Sequence, residues 1–162
     1  VVTQLNSEQQ WVLLSYRVPR EPSTPRIAIW RRLKKHGVVQ VGDGLVALPF
    51  DARTKEHLEW VASMVLEANG EAIVWVATTT KRQDQELARR MNDERDAEYA
   101  ALLGEIAEHD QVVSPRALGR LRREWRRIDR RDYFRSPQRD ETRLAIAALT
   151  TDDERADKEV SP

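Results

Sequence analysis

Apolar positions along this chain follow short β-like runs up to about Thr80 and a helical spacing beyond it. Trp11 to Val18 is a dense run of aromatic and β-branched residues closed by Pro19, which cannot continue a central strand. The linker Arg20 to Thr24 leads into a helix, with Thr24 as its N-cap, Pro25 at the first helical position and Gly37 as a left-handed C-terminal cap. Val38 to Val41 and Leu45 to Leu48 read as two short strands around Gly42, Asp43 and Gly44, with Asp43-Gly44 favouring a tight hairpin turn. Leu58, Val61, Ala62 and Val65 recur at helical spacing, Gly70 ends that pattern, and Ala72 to Ala77 is a fourth strand. The order βαββαβ is the ferredoxin-like arrangement.

Past Thr80 the strand signals stop. Lys81 to Glu108 reads as one long charged helix carrying Leu87, Met91, Tyr99, Leu102, Leu103 and Ile106. His109 to Val113 is a break, Ser114 and Pro115 are an N-cap and first-turn pair, and the helix they start runs to about Asp132. Leu144 to Leu149 suggests a last short helix. The expected fold class is α+β, with a ferredoxin-like domain over 8–80, a helical extension over 81–150 and a polar, disordered tail over 151–162.

Composition sharpens this in one respect. The 162 residues carry 33% charged side chains and no net charge, yet the charge is unevenly placed. Residues 84–110 hold nine acidic against three basic side chains, 112–139 hold ten arginines against Glu124, Asp129 and Asp132, and 140–162 hold seven acidic against three basic. Such a distribution suits either internal neutralisation or a polyanionic partner. The absence of cysteine excludes disulfides, thiolate zinc sites and thiol catalysis. No apolar run approaches the roughly 18 residues of a membrane span, and the start has no apolar leader, so a cytoplasmic protein without a membrane partner is expected.

At about 100° per residue, Arg120, Arg123, Arg127 and Arg130 fall within about 40° of Arg116, while Leu118, Leu121, Trp125 and Ile128 cluster on the opposite side. Guanidinium forks match phosphate and oxyanion oxygens bidentately, so the row could follow a nucleic-acid backbone. A solvated face, or one neutralising the acidic 84–110 helix, accounts for it equally well. Arg31, Arg32, Lys34 and Lys35 form a second basic cluster behind Ile27, Trp30 and Leu33, and cations near a helix C-terminus are stabilising in themselves. Of the tryptophans at 11, 30, 60, 75 and 125, core positions are expected for all but Trp60, which stands beside Glu56 and Glu59. His36, His57 and His109 have no second ligand at metal spacing, and no phosphate-binding or hydrolase motif is present, so neither a metal, a cofactor nor an enzyme is expected.

The stretch WVLLSYRVPREPSTPRIAIWRRLKKHGVVQVGDGLVALP, with the helix and strand after it and the Gln85 to Glu108 helix, resembles the N-terminal region of the ChrB family of chromate-resistance regulators. The same unit is more distantly similar to the middle domain of PaaX-type repressors and to Cas2-like nucleases. The resemblance implies a chromate-responsive transcriptional regulator that binds DNA of a chromate-resistance operon, with chromate as a possible effector and a separate C-terminal domain of the ChrB type as a partner. It carries over no sensing residues. A Cas2-like nuclease needs a carboxylate at the end of the first strand, where this chain has Ser15, Tyr16, Arg17 and Val18. The DNA- or anion-binding residues expected are Arg116, Arg120, Arg123, Arg127 and Arg130, joined by Arg31, Arg32, Lys34 and Lys35. The alternatives are an accessory module that serves a separate sensor without touching DNA, and a small oxyanion-binding protein. An edge strand, Leu45 to Leu48 or Ala72 to Ala77, would need cover, so a homodimer is expected.

Overall fold

The protein is described here by a computed structural model covering residues 9–109 and 111–151. Its elements divide between two units, 1–91 and 92–162. The first contains β1 (Gln10–Arg17), α1 (Ser23–His36), β2 (Val39–Gly42), β3 (Leu45–Pro49), α2 (Ala52–Glu67), β4 (Glu71–Thr78) and the start of α3 (Lys81–Ala107). The strands form one antiparallel sheet in the order β2-β3-β1-β4, the ferredoxin-like order that the βαββαβ pattern predicts. Fold class is therefore α+β, as read from the sequence.

Register explains the burial of this sheet. Val12 opposes Leu48 and Leu14 opposes Val46, and all four are buried with Leu58, Val61 and Val65 of α2 and Ile29 and Leu33 of α1. Trp11, of opposite parity in β1, is also fully buried, and its indole N–H donates to Asp84 Oδ1 of α3 at 2.8 Å. Arg90 of the same helix donates to the Gln40 carbonyl of β2 at 2.6 Å. These two bonds lay the first turns of α3 across the second face over β1 and β2, which is why Leu87 and Met91 are buried. β4 lies at an edge beyond this cover, and Ile73 and Trp75, which share the parity of Trp11's face through Ser15 and Leu13, are exposed; Val76, paired with Val12 on the other face, is exposed at the same edge. Of the two strands expected to need cover, Leu45 to Leu48 is not an edge, since β3 pairs with both β2 and β1.

Local chemistry sets the boundaries, with some departures from expectation. Gly37 caps α1 at φ 72°, as predicted, but the helix begins at Ser23 after an extended Pro22, with no side-chain cap. Thr24 and Pro25 thus lie inside the first turn, where the proline's missing N–H has no helical partner to lose. The hairpin turn holds Gly44 at φ 65°, and a Cβ there would stand 2.4 Å from the Tyr16 carbonyl oxygen. α2 starts with a reciprocal cap, in which the Thr54 N–H donates to Asp51 Oδ1 and the Asp51 N–H to Thr54 Oγ1. After α2 the left-handed residue is Asn69, not Gly70. Gly70 is needed for close approach, since a Cβ on it would lie 2.3 Å from the Arg17 carbonyl oxygen.

The second unit contains the rest of α3, β5 (Val112–Val113), α4 (Pro115–Asp129), α5 (Gln138–Ala147) and β6 (Thr150–Thr151). Its core gathers Tyr99, Leu102, Ile106, Val113, Leu118, Leu121, Ile128, Ile146 and Leu149. The expectation of no strand beyond Thr80 is corrected, because β5 and β6 pair in parallel; two-residue strands are too short to leave a periodicity. Thr151, expected to begin the tail, belongs to β6, and residues 152–162 lie outside the described residues.

Candidate nucleic-acid interface

α4 is fixed before its arginines are considered. Ser114 accepts from the Ala117 N–H at 3.2 Å, Pro115 occupies the first turn, and Leu118, Leu121 and Ile128 are buried. Trp125 is half-buried; its indole N–H donates to the Arg139 carbonyl at 3.2 Å, and the Arg139 guanidinium lies 5.3 Å from its ring centroid. Arg139 also pairs with Asp129 at 2.5 Å, tying the first turn of α5 to the end of α4. The apolar stripe thus faces the core, as the helical arithmetic requires.

Opposite it, Arg116, Arg120, Arg123, Arg127 and Arg130 are all exposed. Two of them have acidic partners within the second unit. Arg120 is ion-paired with Glu105 of α3, and Arg127 with Glu124 one turn back at 2.5 Å. The hydrogen bond from Arg120 holds the Glu105 carboxyl below its ordinary range, and the bond to Glu124 raises Arg127. Arg116, Arg123 and Arg130 make no ion pair among the described residues. The acidic stretch of α3 therefore engages the row at Arg120 without covering it.

Much of the remaining acidity in α3 is spent inside the unit. Arg95 is buried and pairs with Glu94 at 3.1 Å and Glu98 at 2.9 Å, and Arg131 meets Glu98 at 3.1 Å. Burial, against the attraction of Glu98, lowers Arg131 from its ordinary value. Tyr99 donates to Asp132 at 3.3 Å, and burial followed by the Asp132 and Asp129 charges pushes its hydroxyl pKa up. Asp132 in turn accepts from the Ser136 N–H at 3.0 Å, and Ser136 donates to Asp96.

Helical periodicity misses a second basic feature of this unit. Arg122, Arg126 and Arg143 surround a cleft of about 260 Å³ between α4 and α5 whose floor is Trp125, Ile146 and Ala147. Arg122 and Arg126 sit at about 240° and 280° on the wheel that starts at Arg116, beside the apolar stripe. Arg143, from α5, cannot be placed beside them by the periodicity of either helix alone.

The basic cluster of α1 lies in the first unit and is used largely in place. The Arg32 guanidinium lies 4.1 Å from the Trp60 ring centroid, and the Lys34 ammonium 5.4 Å from that of Trp30. Arg31 and Lys35 are exposed. The expectation that all tryptophans but Trp60 are core is corrected, because Trp30 and Trp75 are exposed as well. Trp30 carries a cation on its ring, while Trp75 stands on the uncovered edge strand. Between α1 and α2 the rings of His36 and His57 stack with centroids 4.0 Å apart. Burial, then His57 and the charges of Arg32, Lys35 and Arg53, lowers His36 to about 4.

Comparison with known proteins bears on the first unit and α3. Residues 26–114 match the family described as "Protein ChrB, N-terminal", ending at the residue that caps α4. The chain is 29% identical over 108 residues to "Protein ChrB" of Cupriavidus metallidurans (strain ATCC 43123 / DSM 2839 / NBRC 102507 / CH34), a match covering 66% of this chain and 33% of that protein. The chain thus matches only a third of its relative's length. No solved structure is a significant match. With more than half of its residues matched, from α1 through most of the elements above, the chain belongs to the ChrB family and carries that family's N-terminal region.

Proposed function

We propose that this chain is the DNA-contacting part of a chromate-responsive transcriptional regulator, in which α4 lies along the phosphate backbone. One observation carries the reading: five guanidinia stand exposed in a single row on a helix anchored by its opposite face, and three of them make no ion pair among the described residues. Arg116, Arg123 and Arg130 succeed one another at seven-residue intervals, about 10 Å apart along the axis, so each can meet a different phosphate. Such contacts position a protein without reading bases, and the row alone implies affinity for any duplex. Sequence preference would then come from other surfaces or from the shape of the DNA. Family membership supports the link to chromate resistance, while the DNA reading rests on α4, which begins just beyond the family match.

The test is a fluorescence-anisotropy titration of labelled duplex from upstream of a chromate-efflux gene over a series of salt concentrations. Binding that weakens steeply and log-linearly with salt is expected. No binding, or a salt slope near zero, overturns the proposal. A second reading, an interaction module serving a separate sensor domain, draws on the Arg120–Glu105 and Arg127–Glu124 pairs, which neutralise part of the row internally. The same titration separates the two.

A further inference from the structure

A second arginine constellation lies in the first unit and has no part in the DNA reading. Arg17 at the end of β1, Arg20 in the loop after it and Arg26 in the first turn of α1 line one cleft of about 580 Å³ with Asn69, Gly70 and Glu71. Sequence separation hides the group, because its members come from a strand end, a loop, a helix and the turn before β4. None of the three arginines makes an ion pair among the described residues, in a chain where many other arginines are paired. Arg17 and Glu71 oppose one another as terminal partners of β1 and β4, yet they form no ion pair.

The walls of the cleft are held by backbone. The Gly70 N–H donates to the Val65 carbonyl at 2.9 Å, and Gly70 sits so close to the Arg17 carbonyl that no larger residue fits there. This fixes the turn before β4 against the end of β1, so the backbone of Arg17 and of Asn69–Glu71 is set in place before any ligand arrives. On the facing side α1 starts without a side-chain cap, next to Arg26. The charged residues of the lining are three arginines and one glutamate, a surplus of two positive charges.

We propose that this cleft binds a free tetrahedral oxyanion of charge two, the class to which chromate, sulfate and hydrogen phosphate belong. Guanidinium forks supply paired N–H donors to such an anion, and the shortage of acidic partners means that few internal ion pairs must break for it to enter. A duplex backbone presents phosphates on a convex ridge, which fits an exposed row like that of α4 better than a recess. Guanidinia do not tell one tetrahedral dianion from another by charge, so similar affinities for chromate and sulfate are expected. Planar monovalent nitrate should bind much more weakly.

Isothermal titration calorimetry of the full chain with sodium chromate, sodium sulfate and sodium nitrate at constant ionic strength tests this. One site per chain for each dianion is expected, with Arg20→Ala and Arg26→Ala each weakening it roughly tenfold or more, since hydrogen bonds to charged groups are the strong ones. Glu71→Gln should tighten it by removing the opposing charge, and Arg123→Ala on α4 should leave it unchanged. Because Arg20 is an exposed loop residue, a melting temperature equal to the parent's will show that its variant is folded. Dianion binding that survives both arginine replacements, equal binding of nitrate, or no heat with any anion would overturn the proposal. So would loss of DNA binding in the Arg20 variant without any free-anion binding in the parent, which would make the cleft a duplex contact. Neither result touches the α4 reading, which is tested by different residues.

Discussion

Replacing Arg116, Arg123 and Arg130 together by alanine should flatten the salt dependence of DNA binding far more than it changes the fold. If all five guanidinia of the row meet phosphates, the slope of log K against log salt is about −4.5, at about 0.9 per phosphate neutralised. Removing these three leaves about −1.8. Between 50 and 200 mM salt, affinity should then fall about 500-fold for the parent and about 12-fold for the variant. Arg120→Ala with Arg127→Ala should reduce the slope by less than two full contacts, because these side chains must share or exchange Glu105 and Glu124 to reach DNA. The assay is anisotropy with two 20-base-pair duplexes, one from upstream of a chromate-efflux gene and one unrelated. Both should lose affinity by the same factor, since phosphate contacts carry no sequence information. The replaced residues are exposed and make no ion pair among the described residues, so stability should stay within about 0.5 kcal/mol of the parent. An unchanged slope in the triple variant would refute the reasoning.

Four further outcomes test the packing. His36, lowered to about 4, and His57, also lowered, resist protonation when folded; unfolded histidine takes its proton near pH 6.5. The unfolded chain therefore binds more protons between about pH 6.5 and 4. Stability is fully present above that window and is lost as pH falls through it, by about 1–2 kcal/mol for His36 after discounting for its partial exposure. Urea unfolding at pH 7.5 and 4.5 should show the loss, and His36→Phe should reduce it even though Glu56 and Asp51 act in the opposite direction on His57. Gly70→Ala should destabilise by about 2 kcal/mol or more, because its Cβ would meet the Arg17 carbonyl at 2.3 Å and Val65 Cγ1 at 2.8 Å. Gly104→Ala, in α3 with nothing within 4 Å of the added carbon, should instead stabilise by about 0.5–1 kcal/mol in thermal or urea unfolding. Ser114→Ala removes the cap that accepts from the Ala117 N–H and should cost about 1 kcal/mol, with helix loss visible by circular dichroism.

The ferredoxin-like sheet was legible because each of its strands is bounded by a residue with one strong preference. Pro19 closes β1, Gly44 turns the hairpin, and Gly37 ends α1. The start of α1 was misplaced because Ser23, Thr24 and Pro25 all favour helix entry, and only Pro22, extended and just ahead of them, decides among these positions. Tryptophan burial failed for a different reason. Composition places large aromatics inside on average, but whether Trp75 is covered depends on α3, whose first turns cover β1 and β2 and leave edge strand β4 open. That is a fact of topology with no local signal.

The two basic surfaces differ in legibility for the same reason. Arg116 to Arg130 belong to one helix, so a fixed angle per residue places all five on one face, and the buried Leu118, Leu121 and Ile128 agree with that placement. Which of the five are already partnered is tertiary information: Glu105 reaches Arg120 across fifteen residues of sequence. Arg17, Arg20 and Arg26 share no period at all. They meet only because the order β2-β3-β1-β4 puts the end of β1 beside the start of β4, and because Gly70 lets the intervening turn close on Arg17. A row along one helix suits a ligand that is itself a line of charges, which is why periodicity could suggest a polyanion. A recess assembled from four segments suits a compact charge, and no reading of one element at a time can find it.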